Sequence, residues 1–266
     1  PFYYRSRSKY LKKSAELTRN EIEDRIKISV IIPAWNEEVG VVSTVMSVLG
    51  NDYSNLEVIV VDDGSPVAWE VPDYPWIKKF EQPHLERMIA LNLAFENSTK
   101  DWFVFLDSDD QLSPYYLEAC AEMISKYPEH KVFNFSSVHY HPDYKVTVRG
   151  AFRPEPLEKG HVIFSSGTIV NGTFIFHREC FEKLGGFPHT TNPWDFSAKA
   201  QEEFPELKQF FWITNEDNPN GVVHEMGNPI GQDFYYFYKL TREYHSKPLE
   251  LPLYMVFGKG ERKLRE

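Results

Sequence analysis

The apolar positions of this chain come in short unbroken runs, each ended by acidic or polar residues. Val30-Ile31-Ile32-Pro33 is followed by Ala34-Trp35-Asn36-Glu37. Val58-Ile59-Val60-Val61 stops at Asp62-Asp63-Gly64-Ser65, and Phe103-Val104-Phe105-Leu106 stops at Asp107-Ser108-Asp109-Asp110. Continuous Val/Ile/Phe runs of this length predict strands covered on both faces, as in parallel α/β sheets. Between them the period changes. Helices are predicted from near Glu37 to Leu49, over Leu85 to Asn97, and from Pro114 to near Lys126. Pro66 to Pro75 reads as a loop, and Val132 to Val138 as a further strand. This strand–helix order predicts a doubly wound, mostly parallel sheet with helices on both faces.

After residue 140 the rhythm breaks. His139 to Pro156 reads as an extended excursion, Val170 to Phe176 as a short strand, and Arg178 to Lys183 as a short helix stopped by Gly185-Gly186. Pro188 to Gly231 is long, polar and rich in Pro and Asn. A stretch of that length inside a compact domain is usually functional or holds small elements of its own. Phe234 to Tyr244 reads as a helix whose aromatic residues pack in the core. The expected organisation is a basic and aromatic lead-in over 1–27, a single domain over 28–257, and a basic tail over 258–266. The domain divides into a regular strand–helix half (28–140) and a less regular half (141–257).

The chain has 266 residues, enough for one large α/β domain, and 42% of them are hydrophobic, enough to pack a core. A net charge of −10 excludes general nucleic-acid binding, which needs a basic face. Cys120 and Cys180 give neither a disulfide framework nor metal-ligand spacing, as expected of reduced thiols in a cytoplasmic protein. No apolar run approaches the ~18 residues of a membrane span. Over residues 1–13, Arg5, Arg7, Lys9, Lys12 and Lys13 alternate with Phe2, Tyr3, Tyr4 and Tyr10. That pattern suits either peripheral contact with an anionic membrane or a helical lead-in packed outside the domain, and the second is the simpler reading. The chain begins at Pro1 without Met, as a trimmed piece of a longer protein would.

In open α/β sheets ligands bind beyond the carboxyl ends of the strands. Here those ends carry Asp62, Asp63, Asp107, Asp109 and Asp110. Carboxylates gathered at such a place suit a divalent cation that holds a phosphorylated ligand. Their hard oxygen donors fit Mg²⁺ or Mn²⁺ rather than zinc.

Several motifs occur in a familiar order. They are Ile31-Ile32-Pro33-Ala34-Trp35-Asn36-Glu37-Glu38, Val60-Val61-Asp62-Asp63-Gly64-Ser65, Asp107-Ser108-Asp109-Asp110 and Leu184-Gly185-Gly186-Phe187. Gly231-Gln232-Asp233 and Leu251-Pro252-Leu253-Tyr254 follow. In these the chain resembles the family 2 (GT-A fold) inverting glycosyltransferases, over roughly residues 28–257. The resemblance implies transfer of a sugar from a nucleotide-sugar, usually a UDP-sugar, to an acceptor hydroxyl of a glycan or glycoconjugate, with inversion at the anomeric carbon. It implies that Pro33, Ala34, Trp35 and Glu37 contact nucleobase and ribose, and that Asp63, with Asp62 beside it, pairs with the pyrimidine edge. It further implies a DxD pair in Asp107 and Asp109 flanking Ser108, with Mn²⁺ or Mg²⁺ held there, Arg87 near the diphosphate, and Asp233 as general base. Asp195, Glu202 and Asp217 stay open as alternatives to Asp233. Two other readings compete. One is a nucleotide-sugar-binding module without turnover. The other is a nucleotidyltransferase, which would want a glycine-rich basic loop where this chain has Ala34 to Glu38.

Overall fold

The computed structural model describes residues 19–140, 146–149, 173–189, 198–200, 202–205, 232–244 and 246–257. The first half runs α1 (Arg19–Arg25), β1 (Ile28–Ala34), α2 (Glu38–Leu49), β2 (Leu56–Asp62), β3 (Ile77–Glu81), α3 (Arg87–Glu96), β4 (Trp102–Phe105), β5 (Gln111–Leu112) and α4 (Tyr116–Lys126). Then come β6 (Val132–Tyr140), β7 (Val146–Arg149), β8 (Phe174–His177), α5 (Arg178–Leu184), α6 (Gln232–Glu243) and β9 (Lys247–Phe257). The strands form one sheet in the order β3-β2-β1-β4-β8-β6-β9-β5, with β7 paired to β6.

The block β3-β2-β1-β4 is wholly parallel. Every residue of β1, β2 and β4 is buried, which is why their sequences read as unbroken apolar runs. Beyond β4 the sheet continues through antiparallel β8 and β6, and β9 then pairs parallel to β6. Helices cover both faces. Val30, Ile32, Val58, Val60 and Val104 pack against Val41, Val45 and Val48 of α2 and Leu117, Ala121 and Ile124 of α4. Ile31, Ile59, Val61, Phe103 and Phe105 pack against α3, α5 and α6 through Leu91, Ala94, Phe181, Tyr236 and Phe237. The aromatic run Tyr235 to Tyr238 is buried, as expected of a core face.

Three differences from the sequence reading stand out. β3, Ile-Lys-Lys-Phe-Glu, is a strand although two lysines sit in it. Lys78 pairs with Glu57, and Lys79 lies over the Trp69 ring, so both have partners in the fold. β9 is a long strand despite Pro248 and Pro252; the register with β6 shifts around Ser136, opposite Pro252, where the ladder gives way. The strand expected over Val170 to Phe176 begins at Phe174 and ends at His177, with 170–172 outside the described residues. At the amino end, α1 lies on the outside of the domain through Ile22 and through Glu23, which accepts from the Ser54 amide and hydroxyl. Residues 1–18, the tail 258–266 and most of 188–231 lie outside the described residues.

Candidate functional site

The loops leaving β1, β2 and β4 converge, because these three strands are adjacent and parallel. Leaving β1, Trp35 is half exposed. Asn36 takes a positive φ of 52°, and its amide donates to Ser65 Oγ at 3.0 Å, which ties the β1 loop to the β2 loop. Leaving β2, Asp62 Oδ1 accepts from the Ser65 amide at 2.9 Å. Asp63 is buried, and its carboxylate is heavily used. Oδ1 accepts from Gln82 Nε2 at 2.6 Å and from the Leu85 amide at 3.0 Å, while Oδ2 lies 3.0 Å from His84 Nδ1.

Leaving β4, burial alternates along the turn: Asp107 and Asp109 are partly exposed, Ser108 and Asp110 buried. The two partly exposed carboxylates therefore share the open side. Arg87, at the start of α3, forms an ion pair with Asp107 Oδ1. Asp110 turns inward, where its Oδ2 accepts from the Tyr254 hydroxyl at 2.7 Å and Oδ1 from the Phe257 amide at 3.2 Å. Burial pushes the Asp110 carboxyl up to about 7; the Tyr254 hydrogen bond opposes this and the charges of Asp107 and Asp109 add to it.

The turn is held from beneath by α2. Thr44 Oγ1 donates to the carbonyls of Ser108 and Asp110, at 2.8 Å each. Ser47 Oγ accepts from the Leu112 amide, and Asn51 Oδ1 from the Leu117 amide. Thr44 and Ser47 lie three positions apart on α2 and Asn51 four further on, just past its end, so they form one polar line along this side of the helix. Gly40 sits where α2 passes closest to the turn. A Cβ there would stand 2.9 Å from the Ser108 carbonyl oxygen.

The fold thus brings Trp35, Asp62, Asp63, Arg87, Asp107, Ser108 and Asp109 to one end of the parallel block, with Pro33, Ala34 and Glu37 at or just beyond the end of β1. Asp233 is the second residue of α6. Of the alternatives to it, Glu202 is exposed, while Asp195 and Asp217 lie outside the described residues. Sequence reasoning assigned no role to Thr44, His84 or Tyr254. The spacing of Thr44, Ser47 and Asn51 was a usable signal for the first. The other two contacts join segments far apart in the chain, and nothing local announces them.

The carboxylates also bear on metal binding. Among the described residues no group of three or more His, Cys, Asp or Glu side chains is arranged to hold a metal. Within the turn, Asp107 and Asp109 are the carboxylates on the open side and supply hard oxygen donors there. Two carboxylates suit a cation that completes its shell with a ligand's phosphates, the usual arrangement for Mg²⁺.

Comparison with known proteins fits this geometry. A family model described as Glycosyl transferase family 2 matches residues 29–185. An uncharacterized glycosyltransferase of Rickettsia conorii is 28% identical over 166 residues, covering 59% of this chain and 26% of that protein. One of Haemophilus influenzae is 24% identical over 189 residues, covering 66% of this chain and 62% of that protein. The chain therefore spans less than two thirds of either relative. Among solved structures, residues 1–349 of S. aureus TarS in complex with UDP align with a TM-score of 0.59 at 16% identity, covering 88% of this chain and 61% of that one. At that identity the likeness is one of fold.

Proposed function

Because the chain belongs to glycosyl transferase family 2, with the α/β GT-A arrangement of that family, we propose that it transfers a sugar from a nucleotide-sugar to an acceptor hydroxyl with inversion. The observation that carries this reading is the meeting, at the ends of β1, β2 and β4, of an exposed ring, a buried carboxylate and the Asp107–Asp109 turn with its arginine. Trp35 offers a face for the base, and Asp63 an acceptor for its edge. UDP is the preferred carrier, since the TarS structure that shares this fold holds UDP.

A divalent ion, Mn²⁺ or Mg²⁺, held by Asp107 and Asp109 would supply charge neutralisation at the departing diphosphate. Arg87 orients Asp107 through their ion pair and adds a positive charge on the phosphate side. Thr44 and Tyr254 fix the turn, so that the carboxylates are set before ligand arrives. Asp233 opens α6, where the helix dipole favours an ionised carboxylate, and takes the proton of the attacking hydroxyl. The acceptor is a glycan or glycoconjugate, as in polysaccharide synthesis. We place the catalytic domain over 28–257, between the lead-in 1–27 and the tail 258–266.

Calorimetric titration of the chain with UDP, with and without Mn²⁺, tests the reading. Binding is expected with the ion and lost on chelation, because the phosphates otherwise face Asp107, Asp109 and Asp110. Equal affinity after complete chelation would remove the metal from the proposal. A chain that binds UDP but releases none from any UDP-sugar, with or without acceptor, would instead be a binding module.

A further inference from the structure

The two groups that the proposed function assigns to the nucleobase are already engaged by a side chain of this protein. The His84 imidazole stacks on Trp35, with ring centroids 4.6 Å apart and planes 18° from parallel. Its Nδ1 lies 3.0 Å from Asp63 Oδ2 and 3.0 Å from the Asp63 backbone oxygen. Both partners are acceptors, so Nδ1 must carry the proton and donate. One flat ring thus lies on the aromatic face and offers a ring N–H to the buried carboxylate. The imide N–H of a uracil stacked on Trp35 would make the same two contacts. Base and imidazole cannot hold both at once.

The backbone around His84 is fixed on both sides. The Gln82 amide donates to the Asp62 carbonyl at 2.9 Å, and the Leu85 amide to Asp63 Oδ1 at 3.0 Å. Gly64, at φ 73°, lies so close that a Cβ on it would stand 2.5 Å from the His84 amide nitrogen. The loop cannot back away without breaking these contacts. The side chain is different, being 55% exposed, with room to rotate toward solvent. Rotation breaks the stack on Trp35 and the Nδ1 bond to Asp63.

From this we infer that His84 is a nucleobase mimic, which seats itself in the base site of the free protein and is displaced by the incoming base. The inference rests on the reading of Trp35 and Asp63 as base contacts. It makes His84 a determinant of donor affinity. A base must offer both a stacking face and an N–H edge to replace the imidazole without loss. Uracil does so, whereas cytosine presents an unprotonated ring nitrogen at that edge, toward the Asp63 carboxylate.

The test uses the whole chain in Mn²⁺, with UDP and inorganic pyrophosphate as probes. His84→Ala and Trp35→Ala are compared with wild type by calorimetry, and the His84 imidazole resonances of the wild type are followed by NMR. His84→Ala is expected to bind UDP about three- to tenfold more tightly, the factor equivalent to one ring stack of ordinary strength. Its pyrophosphate affinity is expected to stay unchanged, and Trp35→Ala to bind UDP more weakly. In the wild type, UDP is expected to move the His84 resonances away from their Trp35-shielded positions, and pyrophosphate to leave them in place. If both variants bind UDP more weakly, His84 belongs to the platform under the base; the displacement idea then falls while the base site stands. If neither variant changes UDP affinity, or the wild type binds no UDP, the base site itself is wrong and the inference goes with it. Should His84→Ala fail to fold, the wild-type spectrum decides, and unmoved His84 resonances at saturating UDP overturn the inference.

Discussion

Replacing Thr44 with Val removes one hydroxyl and keeps the shape of the side chain, so its consequences can be worked out from the contacts. Thr44 is buried, and its hydroxyl is shared between the Ser108 and Asp110 carbonyls at 2.8 Å each. Loss of one hydrogen bond costs ~1 kcal/mol net, and leaving buried carbonyls without that donor brings the total to about 1–3 kcal/mol. Thr44→Ser is the control. It keeps the donor and deletes a buried methyl, which costs about 1 kcal/mol. Both variants are therefore expected to lose a similar amount of stability in urea unfolding. Their nucleotide binding should differ. In Thr44→Val the turn carrying Asp107 and Asp109 loses its tether, and UDP affinity in Mn²⁺ is expected to fall about tenfold or more, the equivalent of ~1.4 kcal/mol. Thr44→Ser is expected to bind as wild type does. A Thr44→Val protein with wild-type affinity for UDP and Mn²⁺ would refute the claim that this hydroxyl sets the geometry of the turn.

Three further outcomes are expected. Asp233→Asn should lower turnover by roughly 10²–10⁴, the usual effect of losing a general base, with little change in UDP affinity; near-full turnover, with loss instead in Asp195→Asn or Asp217→Asn, would move the base elsewhere. Gly40→Ala gains helix propensity but drives a methyl to 2.9 Å from the Ser108 carbonyl oxygen, so turnover should fall by a larger factor than stability measured by thermal unfolding. Glu57 gives a pH signature. Burial would raise its pKa, but hydrogen bonds from Ser29 and Thr99, with help from the Lys78 charge, hold it below the ordinary value. Its contribution to stability is then complete above the unfolded glutamate value, about 4.3, and lost as pH falls through the depressed folded value. The stability difference between wild type and Glu57→Gln should shrink in that acid range, and a difference independent of pH there would contradict it.

How much could be read in advance follows from where each residue's partners lie. β1, β2 and β4 were legible because burial on both faces gives them continuous apolar runs, with the buried polar pair Ser29 and Glu57 near the starts of β1 and β2 answering each other. Their ends were legible because a strand that stops at Asp63 or Asp107 puts a carboxylate where ligands bind. Arg87 could be placed on a helix, but its pairing with Asp107 depends on how α3 docks on the sheet. β3 was hidden by Lys78 and Lys79, whose charges are answered by Glu57 and Asp62 of β2 and by Glu81 at the end of β3 itself. β9 was hidden by its prolines. The roles of His84 and Tyr254 rest on contacts across 21 and 144 positions of sequence, beyond the reach of any local pattern.

The Asp107–Asp109 turn is the proposed seat of nucleotide-sugar turnover in this chain. Release of UDP from a panel of UDP-sugars in Mn²⁺, compared between wild type and Asp109→Ala, tests it most directly. UDP release by the wild type is expected from at least one donor, with its loss on chelation and in Asp109→Ala, the fold of the variant staying intact by circular dichroism. Equal release by Asp109→Ala and wild type would contradict it.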